Sequence, residues 1–385
     1  MAKAVRMKQS EAVAGTIAIV AIVAFIVVLA LSLSGRNAST STSVGAPPDT
    51  HAPTRTYAPS PTPTPEPIPT PEPTATPQPA LVPGRIPWQV QDWYLLGANV
   101  PWYNWGCDFG CGTSSGVRNS SVNAQLHSAF GDLQNRGINV ARWWTFPGDP
   151  WQINDNASGT PTSLNQAIYA DFDEALALAE QYDLYYVFTL FSSPTSIPSA
   201  WLENATDRAA LADVLGELFE RYADNPRVLT WQIVNEPEWD IWNGSVAQSD
   251  VVALVQEIVD SVHANSNAYA SVGSAHLDGL GMWTGVGLDY YTAHWYDYMS
   301  SGGWCARCTD YDSVVDRFDL DAPLVIGEFF AGASTDALQR FEDWYAKGYA
   351  GAWAWSLFPN RTEDKLSVNL DAAGTFANRH ADVGP

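Results

Sequence analysis

The sequence alternates apolar runs with segments of helical periodicity over most of its length. Eight runs rich in β-branched, aromatic and small apolar residues predict strands at residues 94–99, 138–144, 184–191, 228–236, 268–276, 289–296, 323–330 and 350–358. Most are separated by helical stripes, the clearest of which is formed by Val251, Leu254, Val255, Ile258 and Val262. Almost wholly apolar strands that directly follow helices are typical of a parallel sheet covered on its outer face. Eight such units in about 300 residues predict a closed (β/α)8 TIM barrel, an α/β fold.

An open, doubly wound sheet is the alternative fold for this alternating pattern. Such sheets commonly carry a glycine-rich phosphate loop after the first strand, and none follows residues 94–99. In a closed barrel the active site lies at the carboxyl ends of the strands. The position of a residue along its predicted strand therefore becomes a functional prediction.

The N-terminus carries an uncharged apolar run at residues 12–34. About 20 such residues span the hydrocarbon core of a bilayer. Lys3, Arg6 and Lys8 precede the run and predict a cytoplasmic N-terminus. We therefore expect residues 1–36 to be a transmembrane anchor of a single-pass cell-membrane protein, with the remainder extracellular. A cleavable signal peptide, whose apolar region is usually about 7 to 15 residues, is the alternative and would give a secreted protein.

Residues 37–83 are rich in proline and threonine, as in "SPTPTPEPIPTPEPTATPQP". Repeated proline favours extended polyproline II with no core to bury, which predicts a disordered, semi-rigid linker. All 17 tryptophans follow this linker. The folded, catalytic domain is therefore predicted at residues 84–385.

The predicted domain is strongly acidic. It contains 14 basic and 38 acidic residues, a net charge near −24. Such a surface keeps a protein soluble and repels nucleic acid, so nucleic-acid binding is excluded as a function class. We expect the catalytic domain to be monomeric.

The four cysteines form two close pairs in sequence, Cys107 with Cys111 and Cys305 with Cys308. Outside the cell the expectation is disulfide bonding, and four cysteines allow three connectivities that sequence alone does not separate. A four-cysteine zinc site is the alternative, but the C-x3-C and C-x2-C spacings match it poorly. Disulfides are the preferred prediction, with no metal site.

The ends of the predicted strands carry a small set of polar and aromatic residues. They are Asn99, Arg142, Asn235, Glu236, His294, Tyr296, Glu328 and Trp355. Glu236 and Glu328 are the only acidic residues placed within or at the last turn of their strands. Glycoside hydrolysis needs one protonated carboxylic acid and one ionised carboxylate on either side of the scissile bond. Burial, which penalises a structural glutamate, raises the pKa of an acid catalyst and is useful there.

Together these motifs resemble a known group of enzymes. "VNEP" ends strand four, "IGE" ends strand seven, Arg142 ends strand two, "AHWY" lies on strand six and Trp355 on strand eight. In this order and spacing they resemble the retaining (β/α)8 glycoside hydrolases of clan A, which contains the cellulase and β-mannanase families. The resemblance covers residues 90–360.

The resemblance implies roles for the strand-end residues. Glu236 would be the acid/base and Glu328 the nucleophile, while Asn235 would bind the sugar 2-hydroxyl. Arg142 and Tyr296 would hold and tune Glu328. A guanidinium beside a carboxylate lowers its pKa and keeps it ionised, as a nucleophile requires. The alternative, in which both glutamates are structural, leaves two buried carboxylates against one arginine and therefore an uncompensated charge.

The resemblance further implies a sugar-binding subsite where cleavage occurs. His294 would line this subsite and Trp355 would be the platform beneath the sugar. Alternation around Trp353 and Trp355 suggests that one faces inward and one outward, and only Trp355 is assigned to the sugar. The chain departs from many relatives at the end of strand three, where it has Phe191 and Ser192 rather than a histidine. The sugar at this subsite is therefore not carried over.

Predicted loops at the catalytic end of the barrel carry further aromatic residues. Two of them, Trp102 and Trp239, are predicted to bind substrate, as is Asn99 at the end of strand one. The other loop aromatics are Tyr103, Trp105, Trp242 and Trp304. Several stacking surfaces favour a polymer or oligosaccharide over a monosaccharide glycoside. The alternative is that the loops fold over the barrel and bury their own aromatic rings.

The hypothesis is a membrane-anchored retaining β-glycosidase with no metal or organic cofactor. We expect it to be endo-acting on a β-linked polysaccharide such as a mannan or glucan. A non-catalytic carbohydrate-binding barrel is the alternative from another class. A transglycosylase, in which a sugar hydroxyl replaces water in the second step, uses the same residues and stays open.

Overall fold

The computed structural model describes residues 84–302, 309–333, 335–358 and 367–384, with the exception of the side chains at 300–302. Three sets of predictions lie outside this range: the anchor at 1–36, the linker at 37–83, and the loop residues Trp304, Cys305 and Cys308. Among the described helices, none has the length and apolar composition needed to cross a membrane.

The strands of the described residues follow the predicted order, with four short additions. They are β1 (Ile86–Trp88), β2 (Gln91–Asn99), β3 (Val140–Phe146), β4 (Ile153–Asp155), β5 (Pro161–Leu164), β6 (Tyr185–Phe191), β7 (Val228–Asn235), β8 (Tyr269–Ser274), β9 (Tyr291–His294), β10 (Leu324–Phe330), β11 (Gly351–Trp355) and β12 (Val383–Gly384).

Eight of these strands form a closed parallel barrel. The pairing runs from β3 through β6, β7, β8, β9, β10 and β11 to β2, and β2 also pairs with β3. That last pairing closes the barrel, so the open-sheet alternative is excluded. Each of the eight predicted strands corresponds to one barrel strand. The predicted (β/α)8 barrel is confirmed.

Helices pack around the outside of the barrel and connect its strands. They are α1 (Gly112–Ser115), α2 (Ser120–Gln134), α3 (Ala167–Tyr182), α4 (Ser199–Glu203), α5 (Ala205–Arg221), α6 (Pro237–Trp242), α7 (Gln248–Asn265), α8 (Tyr311–Phe318), α9 (Ala337–Ala346) and α10 (Leu370–Ala377). The predicted apolar stripe on α7 is completely buried, as the helical spacing requires. Asn119 and Asn204 begin α2 and α5, and each accepts two backbone N–H groups of the first turn.

The amino-terminal end of the barrel is closed by β1, a strand that the alternating pattern did not predict. β1 pairs antiparallel with β2. Ile86 and Trp88 are buried against barrel residues that include Leu95, Val140 and Trp353. This apolar cluster fills the amino-terminal end of the barrel.

The register of the ladders brings the strand-end residues to a common level. Asn99 on β2 is the partner of Arg142 on β3, and Glu328 on β10 is the partner of His294 on β9. Residues paired across neighbouring strands have adjacent side chains. Polar groups from distant parts of the sequence therefore converge at one end of the barrel.

Candidate active site

Glu236 occupies the turn between β7 and α6. Its backbone is left-handed, with φ 46° and ψ 45°. This conformation costs an L-residue roughly 1 to 2 kcal/mol, and such residues cluster at active sites. Pro237 follows as the first helical residue, where its fixed φ and missing N–H suit a helix start. The proline ends the strand at Asn235, and the turn places Glu236 at the mouth of the barrel.

Glu328 lies near the carboxyl end of β10 and is almost completely buried. Nη1 of Arg142 donates to its Oε1 at 2.6 Å, and the hydroxyl of Tyr296 donates to its Oε2 at 2.6 Å. Both oxygens therefore accept short hydrogen bonds, one of them from a cation. These two bonds hold the carboxylate of Glu328 in one orientation at the end of β10.

Arg142 is completely buried and is held in place by three further side chains. Its guanidinium donates to Asn99 Oδ1 at 2.9 Å, to Gln232 Oε1 at 2.7 Å and to Asn235 Oδ1 at 2.7 Å. The plane of the Trp144 ring lies beneath it, with 4.2 Å between the guanidinium carbon and the ring centroid. The guanidinium is therefore fixed in one orientation toward Glu328.

Asn99 lies behind Arg142 and away from the cleft. Its side chain is completely buried and donates to the backbone carbonyls of Gly327 and Trp353. Its amide oxygen is used by Arg142. The structure therefore places this predicted substrate-binding residue in the support of Arg142, where a substrate does not reach it.

His294 is also completely buried, between the two glutamates. Its Nδ1 lies 2.9 Å from Oε1 of Glu236 and 3.5 Å from Oε1 of Glu328. Burial lowers the pKa of His294 to about 3, although the nearby Glu328 acts to raise it. The imidazole is therefore neutral at physiological pH. It contacts both carboxyl groups from behind. The resemblance had implied that His294 lines the sugar subsite, and the structure does not place it there.

The carboxyl groups of the two glutamates approach each other closely at the carboxyl end of the barrel. One carboxylate oxygen of Glu236, one of Glu328 and a nitrogen of His294 all lie within 4.8 Å of one another. Carboxyl groups in retaining glycosidases are about 5 to 5.5 Å apart, whereas inverting enzymes need about 6.5 to 9.5 Å. The three residues are close enough to hold a cation, but Glu328 is already paired with Arg142. We assign no metal to this group.

Glu236 has the electrostatic environment of an acid catalyst. Burial raises its pKa to about 7, while Arg142 and the Trp239 side chain act to lower it. A carboxyl group with this pKa is protonated in a large fraction of molecules near neutral pH. Glu236 and Glu328 therefore differ in environment in the way that acid and nucleophile roles require.

A cleft of about 430 Å³ opens over the two glutamates. Its aromatic walls consist of Trp102, Trp105, Trp144, Trp239, Tyr296, Tyr298, Phe330 and Trp355, and its polar lining of Ser192, Asn235, Glu236 and Glu328. Of the predicted substrate-binding residues, Asn235, Trp102, Trp239, Tyr296 and Trp355 lie on this surface. Trp144, Tyr298 and Phe330 were not predicted as part of it.

The aromatic rings near Glu328 are packed edge to face. Trp144 lies between Trp102 and Trp355, with ring centroids 5.9 Å and 5.7 Å apart. Trp353 and Trp355 both project from the inner face of β11, because residues two apart in a strand share a face. The expectation that one of them faces outward is wrong. Trp353 fills the closed end of the barrel and Trp355 lies one layer higher, on the cleft.

The loop after β2 forms one wall of the cleft and carries a disulfide. Cys107 is bonded to Cys111, which confirms a disulfide for this pair and excludes both cysteines as zinc ligands. Asp108 is buried and accepts from the backbone N–H groups of Tyr103 and Asn104 and from the indole of Trp143.

A second buried carboxylate supports this loop from α3. Asp171 accepts from the backbone N–H groups of Gly110 and Gly112 and forms an ion pair with Arg118. Asp108 and Asp171 were not singled out from the sequence. The only sequence signal was the run of glycines around the two cysteines, whose backbone N–H groups need acceptors.

Glu238 is a third buried carboxylate that the sequence did not distinguish. It follows Glu236 by two residues, yet it is completely buried away from the cleft. It accepts from the backbone of Ala275 at 2.7 Å and from the Trp283 indole at 2.6 Å. Glu238 therefore fastens α6 to the end of β8 and supports the turn that carries Glu236.

Comparison with known proteins gives one family and a consistent set of relatives. Residues 106–360 match the cellulase family, glycosyl hydrolase family 5. The chain is 25% identical over 314 residues to a protein of Mytilus edulis named mannan endo-1,4-beta-mannosidase, covering 68% of this chain and 83% of that protein. It is 22% identical over 341 residues to a protein of the same name from Cryptopygus antarcticus, covering 75% and 84%.

Solved structures share the fold. The structure of the beta-mannanase from Mytilus edulis superposes with a TM-score of 0.65 at 19% identity, covering 79% of this chain and 97% of that one. The family match spans well over half of the chain and contains both Glu236 and Glu328. The chain belongs to the cellulase family, glycosyl hydrolase family 5, and is a retaining glycoside hydrolase.

Proposed function

We propose that this enzyme hydrolyses β-1,4-linked mannan internally, with retention of anomeric configuration. The observation that carries the proposal is the approach of Glu236 and Glu328 oxygens to within 4.8 Å in an aromatic-walled cleft. The choice of mannan is supported by the names of two relatives, each aligned over more than four fifths of its length. The several aromatic surfaces along the cleft suit a polymer better than a single sugar.

In the first step Glu328 attacks the anomeric carbon while Glu236 donates its proton to the departing glycosidic oxygen. The bond between that carbon and that oxygen breaks, and an ester between the sugar and Glu328 forms. The esterified Glu328 no longer carries a negative charge, so the pKa of Glu236 falls. Glu236 is then suited to take a proton from water, which attacks the anomeric carbon and releases Glu328.

Other cleft residues orient the sugar at the point of cleavage. Asn235 is held by Arg142 and faces the cleft beside Ser192, so its amide is placed for the 2-hydroxyl. Mannose differs from glucose only in the orientation of that hydroxyl. Trp355 provides an apolar floor, which suits the C–H face of a pyranose ring. Tyr296 donates to Glu328 before the reaction and loses this charged acceptor when the ester forms.

The proposal includes an extracytoplasmic location. Residues 1–36 would anchor or export the chain, residues 37–83 would hold the barrel away from the membrane, and residues 84–385 would act on polymer outside the cell. The Cys107–Cys111 disulfide supports an oxidising compartment. Cell fractionation with protease accessibility tests this directly, since protection of the barrel in intact cells contradicts it. An N-terminal sequence beginning after residue 34 would indicate cleavage rather than anchoring.

The function is tested by product analysis of the purified chain in mild detergent. β-Mannan, β-glucan, xylan and galactan are compared, with the Glu328→Gln variant as the matched control. We expect short manno-oligosaccharides whose newly formed reducing ends first appear as β-anomers in NMR spectra. Release from β-glucan alone would reject mannan as the substrate. Products longer than an added oligosaccharide would identify transglycosylation.

A further inference from the structure

Glu238 is a completely buried carboxylate that the two chemical steps do not use. It is the second residue of α6. Its Oε1 accepts from the hydroxyl of Ser274 at 2.5 Å and from the indole of Trp283 at 2.6 Å, and its Oε2 accepts from the backbone N–H of Ala275 at 2.7 Å. These three donors are neutral, and burying a carboxylate among neutral groups is a costly way to join two segments. A role in the chemistry of its neighbour Glu236 accounts for that cost.

The backbone of Glu236 is left-handed and needs support from both sides. Strained backbone of this kind persists only where the surrounding structure fixes it. The backbone N–H of Glu236 donates to the carbonyl of Gly273 at 2.6 Å, which fixes the turn on its strand side. Glu238 binds Ser274 and Ala275, the next two residues, and fixes the turn on its helix side. Residues 273–275 at the end of β8 therefore hold the turn of Glu236 from both sides.

The side chain of Glu238 is tightly enclosed. Gly279 packs directly against it, since a Cβ at this glycine would lie 2.5 Å from Cγ and 2.6 Å from Oε1 of Glu238. Gly279 belongs to the 3₁₀ helix Leu277–Met282, and Trp283, which follows this helix, is itself buried in the core. The carboxylate of Glu238 is therefore held between the end of β8 and this helix.

Proton transfer by Glu236 depends on the position of its carboxyl group. Catalytic groups need to be held within about 0.5 Å of the productive geometry, and a displacement of about 1 Å can reduce the rate about 100-fold. Glu238 is completely buried away from the cleft. Any effect that it has on the reaction therefore passes through the backbone that joins it to Glu236.

We propose that Glu238 is a positioning residue for Glu236, whose carboxylate fixes the turn so that the Glu236 carboxyl group reaches the glycosidic oxygen. The inference rests on the proposed function, because it takes Glu236 as the acid that protonates this oxygen. It predicts a specific defect when Glu238 is altered. A displaced Glu236 fails as an acid, whereas Glu328, held by Arg142 and Tyr296 on other strands, keeps its reactivity as the nucleophile.

The test uses Glu238→Gln, which keeps the shape of the side chain. In either orientation of the amide, its NH₂ group faces the N–H of Ala275 or the indole N–H of Trp283, so one attachment is lost. The purified variant and the wild type are compared on two substrates. β-Mannan has a poor leaving group and needs the acid, whereas an aryl β-mannobioside with a dinitrophenolate leaving group needs no proton in the first step.

The measured quantity is kcat/KM, which for both substrates reports the steps up to formation of the glycosyl-enzyme. We expect Glu238→Gln to lower kcat/KM on mannan by about 10- to 100-fold and on the aryl mannobioside by less than about threefold. Asp108→Asn is the matched control. Asp108 is also buried and accepts from two backbone N–H groups and an indole, yet it holds the loop after β2 rather than Glu236. Any loss in this control should be similar on the two substrates.

Unequal losses in Glu238→Gln support the proposal. Equal losses on the two substrates, or unchanged activity on both, would overturn it, because a residue that only stabilises the fold does not distinguish leaving groups. If Glu238→Gln does not fold, Trp283→Phe is measured in the same way, since it keeps a ring and removes one donor to Glu238. The same two results then support or overturn the proposal.

The outcomes also distinguish this inference from the proposed function. If the wild type is active on mannan and the losses in Glu238→Gln are equal, the positioning role fails while the function stands. If the wild type hydrolyses a different polymer, the assignment of mannan fails, and the comparison is made on that polymer and its aryl glycoside. If the wild type cleaves neither a polymer nor an aryl glycoside, both the function and the positioning role fail.

Discussion

Arg142 and Glu328 form a buried ion pair in the active site. Nη1 of Arg142 lies 2.6 Å from Oε1 of Glu328, and both side chains have almost no solvent exposure. The two residues are 186 positions apart in the sequence. The opposite charge offsets the desolvation of each group, and three further acceptors complete the hydrogen bonding of the guanidinium. The pair therefore serves both stability and chemistry, and the two can be separated by mutation.

Removal of the nucleophile should abolish turnover and preserve binding. In Glu328→Gln the amide keeps nearly the same shape but cannot form the glycosyl-enzyme. We expect kcat to fall by about 10⁴-fold or more, with oligosaccharide affinity within a few fold of the wild type. Rate assays and isothermal titration calorimetry with a manno-oligosaccharide check this. Retained turnover would reject Glu328 as the nucleophile.

Removal of the cation should destabilise the fold. Arg142→Met leaves Glu328 buried without its partner and should lower the free energy of unfolding by about 3 to 5 kcal/mol. Urea denaturation measures this difference. Arg221→Met is the matched control, because Arg221 pairs with Asp173 at the surface and exposed pairs contribute about 0 to 1 kcal/mol. Equal losses in the two variants would contradict the account of the buried pair.

The activity should fall as pH rises through the pKa of Glu236. Burial raises this pKa to about 7, and the first step needs the protonated acid. The alkaline limb of kcat/KM is therefore expected near pH 7, because proton loss from Glu236 removes the acid. A pH series on mannan measures the limb. A limb that remains in the same place for an aryl mannoside needing no acid would assign it to a different group.

The two tryptophans of β11 should respond differently to truncation. Trp353→Ala opens a cavity at the closed end of the barrel and should cost about 3 to 5 kcal/mol of unfolding free energy. Trp355→Ala removes the predicted floor of the cleft and should mainly raise KM and lower kcat. Thermal denaturation and steady-state kinetics on both variants separate the effects. Stability loss alone in Trp355→Ala would remove it from the substrate-binding surface.

Asp108 should support the disulfide loop through its three donors. In Asp108→Asn the amide group turns a donor toward an N–H, so at least one buried donor loses its partner. We expect a loss of about 1 to 3 kcal/mol in unfolding free energy. Asp155→Asn, at an exposed position, is the matched control and should be nearly neutral. The comparison is made by urea denaturation with the disulfide intact.

The sequence predicted where the eight barrel strands lie and which polar and aromatic residues stand at their carboxyl ends. The apolar runs correspond to the eight barrel strands because strands buried on both faces must be apolar throughout. Glu236 and Glu328 stood out because a carboxylate at the end of such a run is costly unless it has a use. An apolar strand and a carboxylate at its end are both local features, so they can be recognised from the sequence alone.

The sequence by itself determined that the chain forms a barrel and which residues stand at the carboxyl ends of its strands. It also singled out Glu236 and Glu328 as the two candidate carboxylates. Only the tertiary structure decided which side chains reach the cleft and which support it from behind. Asn99 and His294 end their strands as Asn235 does, yet they are buried behind Arg142 and the glutamates. The difference arises from closure of the barrel, because the register of neighbouring strands brings residues from distant parts of the sequence together, and that register is not encoded at a single position.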